Sequence, residues 1–116
     1  MSTERISVLH MPSIALGPGS SREAGHHLKL LGVGHALVVT DRFLLDSGLI
    51  DPVVQAVEAD GVRVTVHAVP TGEPTEATMQ EAADAAVAAG VDGVLGVGGG
   101  SALDTAKVAA LIATHG

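Results

Sequence analysis

The chain has 116 residues, 47% of them hydrophobic and 16% charged, a balance too apolar for a disordered segment and long enough for one domain with a modest core. Its 13 acidic and six basic residues leave a formal charge of −7, with no basic cluster and a single aromatic, Phe43, which argues against nucleic acid and against an anionic membrane surface as partners. There is no cysteine, so disulfides, thiolate metal sites and cysteine nucleophiles are excluded, and no apolar run approaches the roughly 20 residues of a membrane span.

The opening residues, Met1 to Arg5, carry no signal-peptide core, and a cytoplasmic location is the default expectation. Ile6 to Leu16 is apolar, broken by Pro12 and followed by Gly17-Pro18-Gly19; it reads as one or two short strands and a turn. Ser20 and Glu23 have capping-box spacing before a helix whose apolar face carries Ala24, Leu28 and Leu31 and which ends at Gly32. HALVVT, His35 to Thr40, is a β-branched run that reads as a buried strand, with Asp41 and Arg42 at its carboxyl end. A helical turn is expected between Phe43 and Gly48. Asp51 before Pro52 reads as the N-cap of a helix bearing Val53, Val54 and Val57 and ending at Gly61.

Val62, Val64, Val66 and Ala68 alternate with Arg63, Thr65 and His67, the period of a second strand. After the loop Pro70 to Pro74, Thr75 is a candidate cap, with Thr78 and Glu81 as a competing capping box. Met79, Ala82, Ala83, Ala86 and Val87 form the apolar stripe of a helix stopped by Gly90. Val91 to Val97 is the third strand, and Ser101 to Ala113 a final helix. This β-α order, with no low-complexity linker and no residue-level repeat, predicts an α/β fold. The expected form is a Rossmann-like parallel sheet with helices on both faces, preceded by an N-terminal β segment. Ligands of such sheets bind beyond the carboxyl ends of the strands, where Thr40 to Arg42, Pro70 to Thr75 and Gly98 to Asp104 collect.

The last of these loops lies in GVGGGSALDTAK, Gly96 to Lys107. Three glycines suit a tight turn. They also suit a backbone that must approach a phosphate at a helix N-terminus, where amides lack partners and the dipole favours an anion. The stretch is neither G-x-G-x-x-G, since Ser101 and Leu103 stand where glycine is needed, nor a Walker A loop. Ser101 can cap the helix or donate to a phosphate oxygen. Asp104 and Lys107 fit a capping box and an ion pair; they equally fit a carboxylate facing the ligand with a lysine beside it.

GGGSALDTAK resembles the G-G-G-S-x-x-D-x-A-K signature of the iron-containing (group III) alcohol dehydrogenases. IALGPGS is similar to the family's opening strand and turn, ALVVTD to its first Rossmann-type strand, and EPT to its Pro-Thr loop. The set VVTD…EPT…VGGGSALDTAK is most similar to the branch that includes the hydroxyacid–oxoacid transhydrogenases. The resemblance implies that residues 1–116 are an incomplete N-terminal dinucleotide-binding domain. A divalent metal, iron or zinc, is implied only for a C-terminal helical domain outside this sequence. It also implies hydride transfer between NAD and a small alcohol or hydroxyacid, which this stretch alone is not expected to catalyse.

By the same resemblance Gly99, Gly100 and Ser101 match the pyrophosphate-binding positions, and Asp104 the motif aspartate near the cofactor. Asp41 matches the carboxylate that reaches the adenosine ribose. Such a carboxylate accepts from both ribose hydroxyls and repels a 2′-phosphate, so NAD is favoured, with NADP as the alternative and Arg42 as a counterweight. Glu73 matches a cofactor-contacting position often held by Asn, which points to contact through its backbone. Thr75 reads as a helix cap.

The six histidines form no metal-binding spacing, and surface or packing roles are expected for them. Two other readings stay open. One is a non-catalytic nucleotide-binding or assembly module whose open sheet edge pairs with another chain, a homo-oligomer included. The other is a relative of dehydroquinate synthase or glycerol-phosphate dehydrogenase.

Overall fold

The computed structural model describes residues 13–16, 23–70 and 72–115, the side chains of residues 13–16 and of His115 excepted. HALVVT lies at its centre as β2 (His35–Asp41), and every residue from Ala36 to Thr40 is buried. A strand covered on both faces needs a continuous apolar run rather than an alternating one, which is what these residues supply. Around it, in chain order, are β1 (Ser13–Leu16), α1 (Ala24–Leu30), α2 (Arg42–Asp46), α3 (Asp51–Ala59), β3 (Arg63–Val69), α4 (Glu76–Ala89), β4 (Gly93–Val97) and α5 (Gly100–His115).

The four strands are all parallel, in the order β1-β4-β2-β3. β2 pairs with β3 from His35–Arg63 to Asp41–Val69, and with β4 from Ala36–Gly93 to Val39–Gly96. Successive side chains of a strand point to opposite faces. Ala36 and Val38 of β2 and Leu95 of β4 thus join one core with Ala24 and Leu28 of α1 and Val53 and Val57 of α3. Leu37, Val39 and Val94 join the other with Ala86 of α4 and Ala102, Ala106 and Ala110 of α5. The result is the expected Rossmann-like layering, helices on both faces of a parallel sheet.

The two cores differ in grain. Valines and leucines fill the first, whereas α4 and α5 meet through Ala82, Ala83 and Ala109 and lie close together because alanine holds them no further apart. At the amino ends of the strands, Asp92 locks β4 to β2. Its carboxylate accepts from the Gly34 and His35 amides at 3.0 and 2.9 Å.

Several local expectations are corrected. Asp51 is the first residue of α3 and not its cap; the Ile50 carbonyl accepts from the Val53 and Val54 amides, so the main chain starts the helix with Pro52 in its first turn. Glu23 flanks α1 without a side-chain cap, and Ser20 lies outside the described residues, as does the Gly17-Pro18-Gly19 turn. Leu31, Val66 and Val87, expected to face inward, remain 53%, 37% and 63% exposed. Leu31 is the C-cap of α1, Val66 lies on the strand at one edge of the sheet, and Val87 lines an open groove that α4 shares with Ile112 and Ala113 of α5.

Candidate functional site

From β2 the chain passes to β3 on one side of it, and through α4 it returns to β4 on the other. The carboxyl ends of β2 and β4 therefore flank a topological switch point, the place where open α/β sheets form a ligand crevice. Asp41 ends β2, and the Gly98-Gly99 turn follows β4 into α5.

The glycines there have different physical reasons. A Cβ on Gly96 would fall 2.9 Å from Ala106 Cβ, so its bareness lets α5 rest directly on β4. Gly98 has a φ of 135°, and a Cβ there would fall 2.6 Å from Asp41 Oδ2. Neither reason applies to Gly99 and Gly100. Their φ values are not positive, and beyond adjoining residues and the helix's own backbone a Cβ on either meets no described atom within 4 Å. Among the described residues, neither conformation nor packing calls for glycine at these two positions.

The Gly99 carbonyl accepts from the Leu103 amide at 3.1 Å and begins the helical ladder of α5. The amides of Gly100, Ser101 and Ala102 have no acceptor among the described residues. They carry the positive end of a 16-residue helix. Ser101 is thus the second residue of α5 rather than its cap, and the capping box with Asp104 is not formed. The half-buried Ser101 hydroxyl makes no hydrogen bond to a described residue. Asp104 and Lys107 are exposed on α5 and form no ion pair among the described residues.

Asp41 is half-buried and holds two positions at once. Its Oδ1 accepts from the Leu44 amide at 2.9 Å and caps α2, while Oδ2 lies beside Gly98 and accepts no hydrogen bond among the described residues. Arg42, next in the chain, turns along α2 to Asp46, 3.2 Å from guanidinium to carboxylate. Glu73 is exposed in the loop after β3, separated from the glycine loop by the width of β2. Thr75 caps α4: its Oγ1 accepts from the Thr78 amide at 3.1 Å and Thr78 Oγ1 accepts from the Thr75 amide at 2.8 Å. The Thr78–Glu81 pairing is not used.

The fold therefore brings Asp41 and the glycine loop together and leaves Glu73 and Asp104 further out. It adds Leu44, whose amide orients Asp41 and whose side chain lies beside Gly98; an aspartate three residues before a helical amide was the available signal. Thr40 and Thr105, fully buried with hydroxyls that make no hydrogen bond among the described residues, precede Asp41 and follow Asp104 directly, and nothing in their sequence context marked them.

No group of three or more His, Cys, Asp or Glu residues that could hold a metal occurs among the described residues. His35 is at the opposite end of β2, with Nε2 2.8 Å from Thr65 Oγ1 and Nδ1 3.2 Å from the Arg63 guanidinium. No helix among the described residues is long and apolar enough to cross a membrane.

Residues 12–116 match the family model for iron-containing alcohol dehydrogenase. The chain belongs to the iron-containing alcohol dehydrogenase family. It is 39% identical over 115 residues to long-chain-alcohol dehydrogenase 1 of Geobacillus thermodenitrificans, covering 99% of this chain and 29% of that protein. It is 33% identical over 105 residues to the NAD-dependent methanol dehydrogenase of Bacillus methanolicus, covering 90% of this chain and 28% of the relative. The crystal structure of sulfoacetaldehyde reductase from Bifidobacterium kashiwanohense in complex with NAD+ superposes with a TM-score of 0.71 at 27% identity, over 86% of this chain and 26% of that one. The chain thus corresponds to the N-terminal part of family members and spans less than a third of the length of these relatives.

Proposed function

We propose that this chain is the NAD-binding portion of an alcohol dehydrogenase that transfers hydride between an alcohol and NAD. The observation that carries the proposal is the pair Gly99 and Gly100, which are bare although no contact among the described residues requires it. A diphosphate seated there would accept from the amides of Gly100, Ser101 and Ala102 and from the Ser101 hydroxyl, with the dipole of α5 behind them. Asp41 Oδ2, which accepts no hydrogen bond among the described residues, would accept from the adenosine ribose hydroxyls while Oδ1 keeps the carboxylate fixed on Leu44. The backbone around Glu73, and Asp104 one turn along α5 from Gly100, would complete the surroundings of the cofactor.

NAD would supply the hydride acceptor, and this chain's part is to bind and orient it. The family's divalent metal finds no ligand set among the described residues, so no metal-dependent step is assigned to them. The substrate, a small alcohol or hydroxyacid, is proposed from the family resemblance, and a cytoplasmic location from the cysteine-free sequence.

Calorimetric titration of Gly99→Ala and Gly100→Ala with NAD tests the proposal. Both variants should keep the parent's melting temperature, because a methyl group fits each site. Both should lose at least about tenfold in NAD affinity, because that methyl takes the phosphate's place. Unchanged affinity with unchanged stability would remove the diphosphate from this loop.

A further inference from the structure

Resting on the reading of Asp41 as the ribose-binding carboxylate, we propose that Asp46 is a positioning residue for cofactor selection: it holds Arg42 along α2, away from where a 2′-phosphate would arrive. Asp41 and Arg42 are adjacent at the carboxyl end of β2, so a ligand reaching Asp41 with its ribose passes close to the start of Arg42. Arginine beside a ribose site is the side chain that accommodates a 2′-phosphate, with a planar fork that pairs with phosphate oxygens. Left free, Arg42 would oppose the discrimination that Asp41 imposes.

The structure does not leave it free. The Arg42 guanidinium lies 3.2 Å from Asp46 Oδ1, one helical turn along α2 from Asp41. This is one of two ion pairs among the described residues, and Asp46 makes no other side-chain hydrogen bond among them. Both partners are more than half exposed, at 58% and 63%, so the pair adds little to folding. Its effect is on where the cation spends its time. Selection then rests on two carboxylates: Asp41 accepts from the hydroxyls, and Asp46 occupies the arginine that would reward a phosphate.

The test is the ratio of dissociation constants for 5′-ADP and 2′,5′-ADP, measured by calorimetry on the parent chain, Asp46→Asn, Asp46→Glu and the double variant Arg42→Ala/Asp46→Asn. The parent should prefer 5′-ADP. Asp46→Asn should improve 2′,5′-ADP by about twofold relative to 5′-ADP, from release of an exposed i,i+4 pair. Asp46→Glu, which can still pair with Arg42, should behave as the parent, and the double variant should return the ratio towards it. An unchanged ratio in Asp46→Asn would overturn the proposal. So would an equal gain in the double variant, since Arg42 would then have no part. If the parent binds neither nucleotide, the function proposed above fails and takes this inference with it. Binding of 5′-ADP without any response at Asp46 sinks the inference alone.

Discussion

Gly98 is held to glycine by its own surroundings, whereas Gly99 and Gly100 are not constrained by any described contact. Gly98→Ala would place a methyl group against Asp41 Oδ2 at a φ of 135°, and the chain should lose ~2 kcal/mol or more in denaturant unfolding. The same change at Gly100 should leave stability intact or raise it slightly, because alanine is the better helix former. Asp41 separates in the same way. Asp41→Asn keeps an oxygen for the Leu44 amide but replaces the free acceptor by a donor; NAD binding should weaken while the melting temperature barely moves, whereas Asp41→Ala should lower both. At the far end of β2 a guanidinium can only donate, so His35 Nδ1 must accept from Arg63 and its proton sits on Nε2, directed to Thr65 Oγ1. Nitrogen-15 chemical shifts of the neutral ring should report that tautomer, and Arg63→Ala should release it to a mixture.

Among the elements, β2, β4, α4 and α5 were legible in the residues because glycines bound them and because an apolar run and an alanine stripe have unmistakable periods. Their starts were less so. Asp51 and Ser101 look like caps, yet α3 and α5 begin on the carbonyls of Ile50 and Gly99, and main-chain capping leaves no mark in side-chain identity. Periodicity also marks a face without saying what will cover it, which is why Val66 and Val87 were expected inside. The order β1-β4-β2-β3 depends on which strand ends meet in space; the chain order allows it without dictating it. At the site, the glycine loop and Asp41 were legible, while the engagement of one Asp41 oxygen by Leu44 was not. The Thr75–Thr78 box makes a prediction for α4: Thr75→Ala should cost ~1 kcal/mol and expose the first turn to faster amide exchange.

Across the whole molecule, burial falls outward from β2, whose residues from Ala36 to Thr40 are covered on both faces. The slowest amide exchange should therefore come from the hydrogen-bonded positions of β2, with β3 at the sheet edge exchanging sooner. The charge of −7 sets a second global behaviour. A dinucleotide is itself an anion, so the approach is repulsive at long range although the helix terminus attracts it at contact. Raising salt from about 0.01 to 0.15 M contracts the screening length from about 30 to 8 Å and should speed association in stopped-flow mixing. The optical properties of the protein follow from its composition and from one exposed side chain. It has no tryptophan or tyrosine, and Phe43, its lone benzene ring, is 65% exposed on α2, two residues after Asp41. The chain is dark where most proteins fluoresce. Emission from a reduced nicotinamide can thus be recorded against an empty background, with no energy transfer from the host, and any indole introduced at position 43 becomes a single-point reporter of occupancy.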